Sequence, residues 1–595
     1  MKNSKGFLAQ HCKGNLVFLI VAAILFLVAG CTSKSATILP QGQTKAADPM
    51  SIERQITEGV VIGEENSANK TLSWKGIPFA KPPVGDLRWK SPQPPEKRSA
   101  SLKTITFCDI CPQYIDHDRN PFTPQVIQGK EDCLYLNIWR PKTAAANLPV
   151  FFWIHGGGNS IQWPLLSKTD ASLLASKANM VVVTVNYRLG PMGFFSHPAL
   201  KSGKGGNEKD DSGNFALLDL IQALSWVKDN IKSFGGDPEN VTIAGESAGG
   251  QNVICLINSP LAINLFQRAI SESGLIIPTT PEQGAEHLNS IIAKLLVKDG
   301  SASDEKTAAV KLKRMTSKEI EKYLRFKSAG DFLEMYPEGK VAGMIKFPTS
   351  FLDGTVLPLD FYGALKVGKY NKVPVILGTN KEEAKLFLRL DSTFAPWIKD
   401  GSLFSDPAKA ELYNLAAQYQ SDGWKVMGVD NLARILRSNI DQPNVYTYQF
   451  LWGAGGLNKS VLSVPVNLLL GACHAMEIDF VFGTEATALG GYVFNEKNRP
   501  GRVALSNAMM DYWIQFARTG NPNRKGSALL LWEHWSNIEG TSKTILLDAD
   551  LKNYKIEMSA KELTNTAIEN ALKAEPRQKE IQTFWDTSFY RKSNK

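Results

Sequence analysis

Short apolar runs alternate with stretches of helical periodicity between about residues 130 and 280. Residues 149–154 and 180–185 are nearly continuous apolar runs, which predicts buried strands. Residues 215–231 carry apolar positions at helical spacing and stop before Phe234-Gly235-Gly236-Asp237-Pro238, a strong breaker. Val241-Thr242-Ile243-Ala244 reads as a further buried strand, the segment after Ser247 as a helix, and 265–270 as another strand. Later strands are expected at 373–377 and 445–450. Charged helical segments are expected at 307–326 and 408–418, and a late amphipathic helix at 503–516. This alternation predicts an α/β fold: a large, mostly parallel central sheet flanked by helices, with helical insertions over the sheet and no separate second domain.

The first thirty residues break this pattern. Lys2, Lys5 and Lys13 precede an apolar stretch at 16–29 that is too short for a comfortable membrane span. It ends in Leu27-Val28-Ala29-Gly30-Cys31, which resembles the bacterial lipoprotein signal. The resemblance implies a signal peptide over 1–30, cleavage before Cys31 and lipidation of Cys31, holding the protein to a membrane surface. Thr32, where Asp would retain a Gram-negative lipoprotein at the inner membrane, implies the outer membrane or the periplasmic face of the envelope. The competing reading is an uncleaved anchor helix. Residues 31–52 are polar and read as a tether, which leaves 53–590 as one folded domain.

Composition narrows the function. Of 595 residues, 43% are hydrophobic and 21% charged, an ordinary globular balance. The net charge of +9 is spread along the chain without a basic run or a nucleic-acid-binding module, so a nucleic-acid partner is not expected. Internal repeats are not evident. Cysteines and histidines lack metal-ligand spacing, so neither metal nor organic cofactor is expected. Of seven cysteines, Cys12 leaves with the signal and Cys31 carries lipid. Cys108, Cys111, Cys133, Cys255 and Cys473 remain, and export to an oxidising compartment favours a disulfide among them.

Chemistry enters at Gly245-Glu246-Ser247-Ala248-Gly249, on the predicted strand-to-helix turn. A serine on such a turn, with glycines relieving the crowding, is a nucleophile elbow of the α/β-hydrolase kind. The hydroxyl needs a base, usually histidine, oriented by a carboxylate. In these folds the order along the chain is serine, acid, histidine. Only His287, His474 and His534 follow Ser247. His287 precedes the later strands that should carry the acid, and His534 lies between two tryptophans. His474, in a small-residue loop after the strand ending at Phe450, is the candidate base. The strand before Gly378 leads into Glu382 and Glu383, adjacent carboxylates of which only one can serve, and the residues alone do not choose. His155-Gly156-Gly157-Gly158 follows a strand upstream of the elbow and suits an oxyanion loop of backbone N–H groups, with the amide of Ala248 as a further donor.

With these motifs the chain resembles the type-B carboxylesterase/cholinesterase family from about residue 55 to 550. Further landmarks are Gly76-Ile77-Pro78-Phe79-Ala80, Glu131-Asp132-Cys133-Leu134-Tyr135-Leu136-Asn137, Asn186-Tyr187-Arg188-Leu189-Gly190 and Tyr512-Trp513-Ile514-Gln515-Phe516. The resemblance implies an α/β-hydrolase that cleaves small carboxylic esters through an acyl-enzyme, with Ser247 as nucleophile, Glu383 as acid and His474 as base. It implies oxyanion donors at Gly157, Gly158 and Ala248, and Ser273 as a buttress of the acid. The chain departs from the family's acid motif with Glu382 for Asp and Ala384 for Gly. A disulfide between Cys111 and Cys133 is implied, with Cys108 as a competitor. Cys255 is expected as a buried small hydrophobe and Cys473 as a free thiol. Residues 111–133 hold no tryptophan, whereas a choline site wants an aromatic face. A broad carboxylesterase is therefore expected. A lipase or acyltransferase with the same residues, or a non-catalytic adhesion or binding relative, are the alternatives.

Overall fold

The computed structural model describes residues 48–115, 126–162, 170–203, 205–337, 343–455, 461–485 and 489–587. The expected signal peptide, Cys31 and most of the tether lie outside the described residues. Eleven strands form the main sheet: β1 Glu64–Asn66, β2 Thr71–Pro78, β3 Tyr135–Pro141, β4 Leu148–Ile154, β5 Val181–Val185, β6 Gly236–Glu246, β7 Arg268–Glu272, β8 Val375–Asn380, β9 Val445–Phe450, β10 Thr544–Ala549 and β11 Tyr554–Ser559. Their spatial order is β11-β10-β9-β8-β7-β6-β4-β5-β3-β2-β1. From β5 to β10 every pairing is parallel, while β1, β2 and β3 at one margin and β11 at the other pair antiparallel.

Period-two alternation feeds two cores. Val150, Phe152 and Ile154 of β4 pack with Val241, Ile243 and Leu377 on one face. Phe151 and Trp153 pack with Ala244, Ile270 and Ile376 on the other. All seven residues of β4 are buried, which is why it reads as an unbroken apolar run. The helices include α1 Phe215–Asn230, α2 Ala248–Asn258, α3 Glu305–Leu312, α4 Ser317–Phe326, α5 Pro407–Lys425, α6 Asn431–Arg437 and α7 Arg499–Thr519.

Several expected elements move. The strand expected at 265–270 is β7, shifted because Leu265 closes a turn onto the carbonyl of Ala262 (3.3 Å). The strand expected at 373–377 is β8, which starts later and runs on through Thr379 and Asn380, polar but fully buried. The single helix expected at 307–326 is two, because the Thr316 hydroxyl and Glu319 form a capping box that starts α4 afresh. The helix expected at 408–418 is α5, which continues through a π-helical turn, Val426–Asp430, into α6. Cys111 and Cys133 form a disulfide with Cα atoms 5.1 Å apart, whereas Cys108, Cys255 and Cys473 are free. Among the described residues, no helix is long and apolar enough to cross a membrane.

Candidate active site

Four neighbouring parallel strands deliver their carboxyl ends to one place. β4 ends at Ile154 beside Gly245 of β6, Glu246 pairs with Glu272 of β7, and Glu272 pairs with Gly378 of β8. In open parallel sheets this edge is where ligands bind.

Ser247 occupies the turn between β6 and α2 with φ of 59°, a left-handed conformation that is costly for a residue with a side chain. Its N–H donates to the Glu272 carbonyl at 2.8 Å, pinning the turn to β7. The turn is tight: a Cβ on Gly249 would stand 2.0 Å from the Ile154 carbonyl oxygen. Across from it, Gly157 adopts φ of 109°, and a Cβ there would stand 2.2 Å from the Ile161 carbonyl oxygen. The N–H groups of Gly157, Gly158 and Ala248 have no protein acceptor among the described residues. Ala248 is the first residue of α2, so its amide also lies at the positive end of the helix dipole. His155 stacks on Tyr187 with ring centroids 4.5 Å apart, and burial pulls its pKa down to about 4, so the ring is neutral.

The buried His474 ring donates from Nδ1 to Glu383 Oε2 at 2.6 Å. The other Glu383 oxygen accepts from the Ser273 hydroxyl (2.6 Å), the Thr379 hydroxyl (2.7 Å) and the Asn380 N–H (2.7 Å). Ser273, at the end of β7, also has a left-handed φ, 52°, and its N–H donates to the Gly378 carbonyl at 2.8 Å. The adjacent Glu382 does different work. Its N–H donates to the Ala472 carbonyl (2.9 Å), and its Oε2 accepts from the Ala472 N–H (3.0 Å). The fully buried Lys385 lies 2.8 Å from its Oε1. Glu382 therefore fastens the loop that carries His474, and Glu383 meets the ring.

His474 Nε2 faces Glu246 Oε1 at 3.2 Å. Among the described residues no hydrogen bond joins it to Ser247, an arrangement that tightens in substrate complexes of such sites. Glu246, Glu272 and Glu477 add three buried carboxylates. Trp513 Nε1 donates to Glu272 at 2.7 Å, and the Ser273 hydroxyl and Asn380 Nδ2 reach Glu477 at 3.1 and 2.5 Å. Burial drives the carboxyls of Glu246 and Glu272 well above the usual range. Burial, with Glu383 beside it, lifts Glu477 to about 7. Burial pulls His474 downward, but the carboxylates of Glu246, Glu383 and Glu477 outweigh it and raise the ring to about 9. His474 and Glu246 thus compete for one proton.

His287 pairs with the Tyr336 hydroxyl and the exposed His534 with the Trp535 carbonyl, so neither joins this cluster. No motif or chain-order argument singles out Glu246, Glu272 and Glu477. Their signal was an acidic residue inside or beside an otherwise apolar buried run, since Glu is almost never fully buried without a partner. Among the described residues, no group of three or more His, Cys, Asp or Glu is arranged to hold a metal ion.

This parallel sheet, with a serine turn at its carboxyl edge, is the α/β-hydrolase fold. The carboxylesterase family model matches residues 51–425 and 405–566. The para-nitrobenzyl esterase of Bacillus subtilis (strain 168) is 33% identical over 503 residues, covering 82% of this chain and 92% of that protein. Mouse carboxylesterase 1F is 33% identical over 528 residues, with 81% and 88% covered. Among solved structures, a PNB esterase superposes with a TM-score of 0.63 at 28% identity, covering 87% of this chain and 98% of that one. A Geobacillus stearothermophilus carboxylesterase gives 0.62 at 26% identity, covering 90% and all of the other chain. The chain belongs to the carboxylesterase family and is a carboxylic-ester hydrolase.

Proposed function

We propose that the chain hydrolyses small carboxylic esters through an acyl-enzyme on Ser247. His474 Nε2 takes the proton from Ser247 Oγ as the oxygen attacks the acyl carbon, and Glu383 holds the ring and stabilises its charged form. The negative oxygen of the tetrahedral intermediate accepts from the N–H groups of Gly157, Gly158 and Ala248. Collapse expels the alcohol, which leaves with the proton from His474. Water, deprotonated by the same ring, then attacks the acyl-serine; the C–Oγ bond breaks, Ser247 Oγ takes the proton back from His474, and the acid is released. The observation that carries the reading is the 2.6 Å contact of His474 with Glu383 beside the Ser247 turn. The name of the Bacillus relative recommends para-nitrobenzyl and para-nitrophenyl esters as first substrates. Ser247→Ala and His474→Ala should each lower kcat by about three orders of magnitude or more in a steady-state assay with such an ester. Near wild-type turnover in either variant contradicts the assignment.

We also propose that Cys31 is lipidated and anchors the enzyme in the cell envelope, supported by Leu27-Val28-Ala29-Gly30-Cys31 behind a basic, apolar leader. Radiolabelled palmitate should enter the wild-type chain and not Cys31→Ser. Equal labelling of both rejects the anchor.

A further inference from the structure

The helical rod that runs from α5 into α6 is interrupted by the π-helical turn Val426–Asp430. Such turns cost hydrogen-bond geometry and concentrate at functional sites. Here the turn brings together two side chains that an α-helix would separate. At 3.6 residues per turn, positions five apart diverge by about 140°. Yet Lys425 Nζ meets both oxygens of Asp430, at 2.5 and 2.6 Å, with both side chains buried. Asp430 also accepts from the Leu563 N–H at 2.7 Å.

The residue just before this lock touches the reaction centre twice. The Trp424 ring lies 4.9 Å from the His474 ring at 45°. Its Nε1 donates to the Ser273 carbonyl at 3.1 Å, and Ser273 in turn bonds to Glu383. The same turn presses Gly428 against the next residue of that strand end, where a Cβ would stand 2.4 Å from the Gly274 carbonyl oxygen. Phe387 stacks with Trp424 at 5.9 Å and lies against the imidazole beside it, at 5.3 Å.

We propose that Trp424 is a positioning residue for His474, and that the Lys425–Asp430 pair, by fixing the π-helical turn, seats its ring against the imidazole and its N–H on the Ser273 carbonyl. This inference rests on His474 acting as the base. The ring excludes water from one face of the imidazole and limits its swing between Glu246 and Ser247. Small displacements of a reacting group can cost about a hundredfold in rate.

The test compares Trp424→Leu, Trp424→Phe and the double variant Lys425→Met with Asp430→Asn, which removes both charges together because a lone buried charge would itself destabilise the fold. Sites are counted by fluorophosphonate titration. Then kcat, KM and the pH midpoint of kcat/KM are measured with a para-nitrophenyl ester. Trp424→Leu should lower kcat per titrated site by about ten- to a hundredfold while KM stays within about threefold. The midpoint should fall, because the aromatic face that favours the imidazolium is gone while Glu246, Glu383 and Glu477 still face the ring. Trp424→Phe should recover most of kcat, and the double variant should repeat the leucine pattern at smaller amplitude. The proposal is overturned if Trp424→Leu keeps the wild-type kcat per site and pH midpoint, if the loss lies only in the number of titratable sites, or if KM alone rises. Turnover surviving in His474→Ala would instead strike the underlying assignment of the base.

Discussion

On the serine side of the site, Ser247, Ala248, Gly157 and Gly158 offer one hydroxyl and three backbone N–H groups without a protein acceptor among the described residues, held by tight turns at the ends of β4 and β6. On the histidine side, Glu383, Ser273, Thr379, Asn380 and Glu477 surround His474 with side chains drawn from β7, β8 and the loop after β9. The first side is short-range and steric, and a single added carbon breaks it. The second is long-range and electrostatic, with Glu246, Glu383 and Glu477 buried around one imidazole. Rate on the first side should depend on atoms fitting, and on the second on protons being shared.

The sharpest contrast within the second side is Glu383 against Glu382. Glu383→Gln should cut kcat about a thousand- to ten-thousandfold by turning the imidazole to the wrong tautomer, whereas Glu382→Gln, which keeps an acceptor for Ala472, should cost about tenfold. Equal losses, read in one kinetic series, would erase the division of labour. Next comes the steric side. Gly157→Ala keeps the N–H but puts a Cβ 2.2 Å from the Ile161 carbonyl oxygen, and by displacing that donor it should lower kcat about a hundredfold with little change in the pH profile. A shift of its pH midpoint would show that the two sides are not separable.

The smallest effect probes the proton. Because the raised His474 must lose its proton to act as base, kcat/KM should rise with pH, with a midpoint above the ordinary histidine value of about 6.5. Glu246→Gln removes the carboxyl 3.2 Å from Nε2 and should move that midpoint down by about one unit. A pH–rate profile of the two enzymes decides this, and an unmoved midpoint would take Glu246 out of the competition.

The same contrast explains what the sequence disclosed. The serine side is carried by contiguous motifs, so Ser247, Ala248 and the glycines after His155 are legible from strand, turn and helix signals alone. Strand β9 runs over 445–450, as its apolar pattern predicts. The histidine side is assembled from distant segments. Chain order singled out His474, but Glu382 and Glu383 are neighbours that face different partners, and no local pattern says which faces the ring. Trp424 was invisible for a further reason: it lies beyond the helix expected at 408–418, near the end of α5, and meets His474 and Ser273 only in the fold. The break before α4 is a local capping box that apolar periodicity alone overlooks.

Above all, Ser247 is proposed as the nucleophile and the histidine side as what activates it. Intact-mass spectrometry of the purified folded enzyme after fluorophosphonate treatment tests it most directly, with peptide mapping of the adduct. One covalent adduct per chain is expected, on Ser247, absent from Ser247→Ala and formed at least about a hundredfold more slowly in His474→Ala. An adduct on another residue, or labelling of Ser247 at an unchanged rate without His474, would contradict it.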